Sequence, residues 1–173
     1  DKMQLLDRWL GDLFDEMERL GVAENTIVVL MGDNGHFTKY APQSGFTPMI
    51  FRGGKGDTTE GGVRVDAFIR WPGMIAPDSM VNNIIHVSDL YTTLARFAGA
   101  TEYIPRDRLV DGVDQSASLL FADEQKGRRD HVIIYSVQSP QAIVKDKLKL
   151  NLPGAGESPI LADFFDIFRE TLE

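Results

Sequence analysis

The hydrophobic pattern of the first residues predicts a helix followed by a buried strand. Apolar side chains recur at helical spacing over residues 2–20, acidic side chains occupy the other faces, and Gly21 stands where such a helix would end. Residues 26–31 then form a continuous apolar run rich in β-branched side chains. Such a run is typical of a strand covered on both faces, as in α/β proteins. The pattern therefore predicts an αβ unit.

Further along, the pattern predicts two more strands and two more helices. Residues 65–70 read as a second strand and residues 82–87 as a short third one. Ser88 is a good N-cap for a helix whose apolar face ends before Gly99. Residues 116–121 predict a short helix within an otherwise irregular, polar stretch.

The last part of the chain has the pattern of a small antiparallel sheet. Residues 132–136 predict a strand, and residues 141–145 and 147–152 alternate around Asp146, as in a hairpin. The lysines of this hairpin are expected on a solvated strand face: Lys145, Lys147 and Lys149. The change from helices and buried strands to short alternating strands favours a domain boundary between about residues 101 and 130.

Composition narrows the classes of function. The net charge of −8 argues against nucleic acid as the main partner. No apolar run reaches the roughly 18 residues of a membrane-spanning helix, so no membrane partner is expected. The chain contains no cysteine, which excludes disulfides, thiolate metal sites and a cysteine nucleophile within it.

Candidate chemistry begins where the first strand ends, in Gly32-Asp33-Asn34-Gly35. Ligands in open α/β sheets bind beyond the carboxyl ends of the strands, so Asp33 and Asn34 are candidate oxygen ligands. Asp, Asn and Gly are also turn residues, and the pattern by itself favours a tight turn. His36 follows directly, and both a substrate contact and a structural role are open for it.

A second glycine cluster surrounds Lys55, and eight of the 16 glycines lie between Gly32 and Gly62. Such density indicates tight turns or a close approach of the backbone to another group. The cluster is no Walker A loop, because Gly56 follows the lysine and Met49 stands where the first glycine belongs. A lysine here suits a sulfate or phosphate oxygen, and a solvated loop lysine is equally open.

The stretch between the two clusters, residues 36–50, has no hydrophobic period and contains two prolines, so we expect a loop. Loops of this length are usually functional or disordered, and the aromatic side chains argue against disorder. Three of its side chains are candidates for lining a pocket: Tyr40, Gln43 and Phe46.

Several segments, in this order, resemble the C-terminal part of the type I, formylglycine-dependent sulfatases of the alkaline-phosphatase-like superfamily. They are TIVVLMGDNG, RGGKGDTTEGGVRVDAFIRWPG, HVSDLYTTLARFAGA and LVDGVD. AIVKDKLKLNL and FFDIFRETLE are similar to that family's terminal antiparallel subdomain. The resemblance implies an α/β fold, part of a mixed, mostly parallel sheet flanked by helices, with a small C-terminal antiparallel sheet. The expected division is residues 1–125 for the catalytic α/β part and 126–173 for the subdomain.

The resemblance also implies sulfate-ester hydrolysis. By position, Asp33 and Asn34 correspond to the family's two calcium ligands after the strand, and Lys55 to the lysine that contacts a sulfate oxygen. Lys55 is thus the expected catalytic residue, with His36 as a second substrate contact. The family's nucleophile is a formylglycine made from the first residue of a C/S-x-P-x-R motif.

That motif is absent from this sequence, as are the family's upstream paired aspartates. Calcium needs about six to eight oxygen ligands, which two residues do not supply. We therefore expect the chain to be the C-terminal portion of a sulfatase, inactive alone and partnered by a missing N-terminal portion. The isolated chain is expected to be poorly stable, or to form a dimer or swapped assembly.

Two alternatives remain at this stage. One is a phosphomonoester or phosphonate-ester hydrolase of the same superfamily, and the other is a non-catalytic binding or assembly module. The family resemblance suggests a periplasmic or secreted location, although no export signal is visible in the sequence.

Overall fold

The structure is a computed structural model, and it describes residues 1–37, 50–123 and 126–152 together with a strand at residues 164–166. Most of the predicted loop at 36–50 lies outside the described residues. So do its three candidate pocket residues: Tyr40, Gln43 and Phe46.

The chain folds into helices and two antiparallel sheets. The described helices are α1 (Lys2–Arg19), α2 (Glu60–Val63), α3 (Asp89–Phe97) and α4 (Ser116–Phe121), with short 3-10 turns at Ala23–Asn25 and Thr101–Tyr103. The strands are β1 (Val28–Met31), β2 (Ala67–Arg70), β3 (His131–Ser136), β4 (Ser139–Lys145), β5 (Leu148–Asn151) and β6 (Phe164–Asp166). One sheet pairs β1 with β2, and the other has the order β3-β4-β5-β6.

The predicted helix ends are confirmed at the two glycines. Gly21 has a φ of +68°, its N–H donates to Glu18 O, and the N–H of Val22 donates to Met17 O. These hydrogen bonds form a Schellman motif, which satisfies the last carbonyls of α1. Gly99, with a φ of +66°, ends α3 in the same way.

The first sheet ends directly before the Asp33–Asn34 pair. Met31 of β1 lies opposite Ala67 of β2, and the Gly32 N–H still donates to Asp66 O at 3.1 Å. The ladder therefore ends one residue before Asp33. Within the described residues β1 has β2 as its sheet neighbour and the pair is antiparallel, so the parallel pairs expected for the larger sheet do not fall in this part of the chain.

The C-terminal hairpin is confirmed and carries the main apolar cluster. Asp146 has a φ of +52° in a two-residue turn that closes between Lys145 and Leu148. Three side chains from β3 and β4 form the buried cluster: Ile134, Ala142 and Val144. Partly buried Ile84 packs against it from the preceding half of the chain, which joins the sheet to the α/β part.

Two predictions were wrong. Residues 82–87 form no strand, because Ile84 is covered by packing against the C-terminal sheet rather than by a ladder. Lys149 does not lie on a solvated face: it is 1% exposed, whereas Lys145 and Lys147 are exposed as predicted. Ser88 occupies the N-cap position, but its hydroxyl contacts His86 Nδ1 at 2.8 Å rather than an N–H of α3.

Large apolar side chains remain exposed on α1 and the first sheet. Met3 is 69% exposed, Trp9 60% and Phe68 of β2 66%. In the described part of the chain, the helices are all too short or too polar to traverse a bilayer. Among the described residues, exposed large apolar side chains outnumber the buried ones, so this surface is suited to a covering layer.

Candidate functional site

The glycine-rich segment at residues 52–62 folds back onto the turn that follows β1. The Gly35 N–H donates to Gly62 O at 3.0 Å, and the Lys55 N–H donates to His36 O at 2.7 Å. These two backbone hydrogen bonds bring Lys55 beside the Asp33–Asn34 turn, although 20 residues separate them along the sequence. The structure thus assembles the sequence-predicted site residues into one place.

Glycine makes this close approach sterically feasible. A Cβ atom added to Gly35 would lie 1.9 Å from Gly61 O, and one added to Gly62 would lie 2.2 Å from Asp57 O. Both distances are shorter than any real Cβ contact. A side chain at Gly35 would push the turn after β1 off the glycine-rich segment, and one at Gly62 would force the glycine-rich segment itself open. The glycine density read from the sequence therefore marks backbone packed directly on backbone.

Lys55 sits at the tip of a tight turn. The Asp57 carboxylate accepts the Gly54 N–H at 2.8 Å, and the Asp57 N–H donates back to Gly54 O at 2.9 Å. Gly53 enters the turn with a φ of +76°, a conformation that favours glycine. Lys55 itself is exposed, so its ammonium is available to an incoming anion.

The side chains of the turn after β1 differ in surroundings. Asp33 is exposed, Asn34 is half-buried, and the Asn34 amide Nδ2 donates to Asp33 Oδ1. His36 is half-buried, and its Nε2 is buried without a hydrogen-bond partner among the described residues. Among the buried side-chain polar atoms of the described part of this turn, His36 Nε2 is the one without a hydrogen-bond partner.

The donor set of this turn fits calcium in kind and is too small in number. A carboxylate and an amide oxygen are hard donors of the sort that Ca²⁺ prefers, but the ion takes about six to eight oxygens. Among the described residues, no group of three or more His, Cys, Asp or Glu side chains is arranged to hold a metal ion. A complete calcium site would therefore need ligands from outside the described residues.

Sequence reasoning missed the buried contact that supports the glycine-rich segment. The Lys149 ammonium donates to Thr58 O at 2.5 Å and to the Glu60 carboxylate at 3.1 Å. The Lys149 and Glu60 side chains are 1% and 6% exposed. Because 89 residues separate the partners, no local pattern could have paired them.

A second buried ion pair joins α3 to the start of β3. Arg129 Nη2 and Nε donate to the two oxygens of Asp89 at 2.5 and 2.8 Å. Burial raises the pKa of Asp89, but the Arg129 guanidinium and the N–H groups of Val113 and His86 outweigh burial and hold that pKa below its usual range. This pair supports the scaffold and touches none of the candidate site residues.

One open cavity of about 340 Å³ lies against α3, lined in part by Thr92, Arg96 and Arg128. Its lining includes neither Asp33, Asn34 and His36 nor Lys55. The candidate site therefore lies outside this cavity.

Comparisons with known proteins agree on one family. The sulfatase family model matches residues 1–100. The steryl-sulfatase of Rattus norvegicus is 39% identical over 124 residues, which is 69% of this chain and 21% of that protein. The N-acetylgalactosamine-6-sulfatase of Rattus norvegicus is 34% identical over 120 residues, which is 69% of this chain and 22% of that protein.

Solved structures give the same result at the level of the fold. The crystal structure of the PsFucS1 sulfatase from Pseudoalteromonas sp. is 33% identical with a TM-score of 0.77, and the match covers 96% of this chain and 34% of that one. The expected α/β fold is thereby confirmed. The chain spans about a fifth of the length of these curated relatives and about a third of this solved structure.

Proposed function

The chain belongs to the sulfatase family, and on that premise we propose that it is the C-terminal portion of a sulfatase and contributes half of that enzyme's active site. The observation that carries the proposal is the 2.7 Å hydrogen bond from the Lys55 N–H to His36 O. It joins the lysine of the glycine-rich turn to the turn that carries the two proposed oxygen ligands, Asp33 and Asn34. The reaction is hydrolysis of a sulfate ester to an alcohol and sulfate.

In this proposal, Asp33 and Asn34 hold a calcium ion with their side-chain oxygens. They lie just past the last ladder bond of β1, and backbone hydrogen bonds fix the turn on the glycine-rich segment. The ion, when bound, would neutralise negative charge on the sulfuryl group. The other ligands, and the formylglycine nucleophile, would come from the portion that precedes this chain in the whole enzyme.

Lys55 binds a sulfate oxygen in this proposal. Its ammonium is a compact charge with three N–H donors, and the tight turn holds its backbone. A donor fixed in advance at the place where negative charge develops lowers the barrier without reorganising during the reaction. Lys55 would therefore act in the transition state rather than only in substrate capture.

His36 is the proposed second contact with the substrate. Its Nε2 makes no hydrogen bond within the described residues, and a polar atom left unpaired in a buried position costs free energy. A hydrogen bond to a substrate oxygen or to the leaving group would remove that cost.

The proposal does not extend to a particular ester. The relatives are named for steryl, aryl and N-acetylgalactosamine 6-sulfate substrates, so the shared class is the sulfate ester. We propose the division at residues 1–125 and 126–173, and a periplasmic or secreted location, on the family resemblance alone.

The test is an assay of the whole protein that contains this chain, with an aryl sulfate and the matching aryl phosphate. We expect hydrolysis of the sulfate that is lost with a calcium chelator and restored by added calcium. Asp33→Ala should weaken calcium binding in titration calorimetry, whereas the exposed Asp107→Ala should not. Preference for the phosphate would favour a phosphoester hydrolase, and inactivity towards both with the C/S-x-P-x-R motif absent from the whole protein would favour a non-catalytic module.

A further inference from the structure

Lys149 is an unusual lysine, because it is fully buried in the middle of a sheet. It lies on β5, opposite Val144 of β4 and Phe165 of β6, so its strand is not an edge. Only 1% of its surface is exposed. Lysine is almost never buried to this extent unless its charge is paired.

Its charge is paired with a segment from the other half of the chain. The ammonium donates to Glu60 Oε1 at 3.1 Å and to Thr58 O at 2.5 Å, so one group holds both a side chain and the backbone. Glu60 is the first residue of α2, and Thr58 lies two residues before it. The contact therefore restrains the place where the glycine-rich turn passes into α2.

That place bears directly on the proposed site. Immediately after Glu60, the Gly61 N–H donates to Arg52 O at 2.8 Å, and Gly62 O accepts the Gly35 N–H. These bonds close the glycine-rich segment on itself and onto the turn that carries Asp33 and Asn34. A shift of Glu60 would thus move the support of both the metal-ligand turn and Lys55.

Apolar packing alone does not explain a lysine here. Replacing a buried ion pair by apolar side chains of similar size often leaves stability unchanged or raises it, so such a pair is weak evidence for stability. Its hydrogen bonds are directional, however, and charge-assisted bonds fix geometry more strongly than neutral ones. A charge tethering a glycine-rich segment, whose backbone is otherwise permissive, is suited to positioning.

We propose that Lys149 is a positioning residue, which holds the glycine-rich segment so that Lys55 and the Asp33–Asn34 turn keep their mutual placement. The C-terminal sheet would then support the catalytic site indirectly, through the contacts of Lys149 with Glu60 and Thr58. The inference rests on the proposed function of Lys55 and of the Asp33–Asn34 pair.

The first test is hydrogen exchange, measured by mass spectrometry on the whole protein that contains this chain. Lys149→Met removes the charge and keeps the length of the side chain. We expect amides in residues 52–62 to exchange about tenfold faster or more in this variant. Lys145→Met, at an exposed lysine of the same hairpin, is the matched control and should leave that segment unchanged.

A double variant separates the positioning of the glycine-rich segment by Lys149 from the contribution of Lys149 to overall stability. Lys149→Met with Glu60→Leu leaves no unpaired buried charge, so the denaturant midpoint should return towards that of the parent protein. Thr58 O still lacks its donor, so exchange in residues 52–62 should remain fast. If the double variant restores both the midpoint and slow exchange, Lys149 is only a packing residue and the inference is wrong. Unchanged exchange in Lys149→Met would overturn it as well.

Steady-state kinetics of the double variant is an independent test. The double variant should hydrolyse the aryl sulfate with a kcat/KM lowered about ten- to a hundredfold, since small misplacements of this kind are costly. Parent-level kcat/KM with fast exchange would overturn the positioning role. If the unmutated protein hydrolyses no sulfate ester, the proposed function fails, while the exchange results still decide whether Lys149 holds the segment.

Discussion

Lys55 and Lys149 carry the same ammonium group, and the fold gives the two groups opposite surroundings. Lys55 stands exposed at the tip of a glycine turn, whereas Lys149 is enclosed and bonded to Thr58 and Glu60. An exposed ammonium can bind an anion from solution, and a buried one is already neutralised by its partner. The fold therefore decides whether the ammonium of a lysine is open to solvent, as at Lys55, or enclosed with a partner, as at Lys149.

The first prediction concerns Lys55. Lys55→Met in the whole protein should lower kcat/KM for a sulfate ester about a hundredfold, because the variant loses a donor fixed in advance for transition-state charge. The fold should persist, since only the Lys55 backbone N–H takes part in the described hydrogen bonds of this residue. Steady-state kinetics measures the effect, with Lys145→Met as the charge-matched control. Parent-level activity in Lys55→Met would remove Lys55 from the site.

The second prediction concerns Gly35. Gly35→Ala should destabilise the protein, because the added Cβ would lie 1.9 Å from Gly61 O and would force the turn away from the glycine-rich segment. Gly11→Ala is the control, since this glycine lies within α1 and its Cβ would meet nothing within 4 Å. That substitution should stabilise by up to about 1 kcal/mol. Denaturant unfolding gives the free energy of unfolding of both variants. Equal changes in Gly35→Ala and Gly11→Ala would contradict the close approach of Gly35 to Gly61.

At the scale of elements, ties between distant segments hold the described structure together. α3 is linked to the start of β3 by Asp89 and Arg129, and α2 is linked to β5 by Glu60 and Lys149. Apolar contact adds Ile84 against the β3–β4 cluster. The antiparallel C-terminal sheet is therefore joined to the α/β part by two buried ion pairs as well as by packing.

The third prediction concerns Asp89. Its pKa in the folded protein is lowered, so its ionised form contributes stability that is fully present above the unfolded pKa of about 3.9 and is lost as pH falls through the folded pKa. Asp89→Asn should remove this part of the acid dependence. It should also cost roughly 3–5 kcal/mol in the free energy of unfolding, because the largely buried Arg129 would lose its carboxylate partner and keep only backbone acceptors.

Chemical unfolding between pH 3 and 7 tests this prediction in the whole protein. The exposed pair Asp107–Arg108 gives the control, since Asp107→Asn should leave stability nearly unchanged. If the free energy of unfolding falls equally steeply at acid pH in Asp89→Asn and in the parent protein, the buried pair is not the source of that pH dependence.

At the scale of the whole molecule, the balance of buried and exposed apolar surface stands out. Five apolar side chains are buried among the described residues, whereas α1 exposes Met3, Trp9 and Leu13. An amphipathic helix normally turns such residues towards a core. Since the chain spans about a fifth of its curated relatives, the expected cover is the remainder of a larger sulfatase domain.

The fourth prediction follows for the chain alone. At micromolar concentration it should self-associate or aggregate, because the apolar face of α1 has no cover within the described structure. Sedimentation should give masses above 19.3 kDa. Leu6→Lys with Leu13→Lys should reduce the association, whereas substitutions on the charged face, such as Asp12→Lys, should not. A stable monomer of 19.3 kDa would contradict the prediction.

The sequence by itself determined the elements whose signals are local. Apolar spacing and the terminal glycines located α1 and α3, alternation about Asp146 located the hairpin, and residues 116–121 were found as α4. Glycine density and the Asp33–Asn34 pair marked the candidate site before any geometry was known. These features depend on neighbours a few residues away, which is the range over which propensity and period act.

Only the tertiary structure decided what depends on distant partners. The Leu–Lys alternation of β5 predicted that its lysines face solvent. In the structure, Lys149 is buried and Leu148 is 53% exposed, because Lys149 forms a buried ion pair with Glu60. Residues 82–87 were predicted as a strand, yet Ile84 is covered by the C-terminal sheet, whose first strand begins 47 residues further along the chain. A pattern of polarity states which residues need a partner, and the fold alone determines where that partner lies.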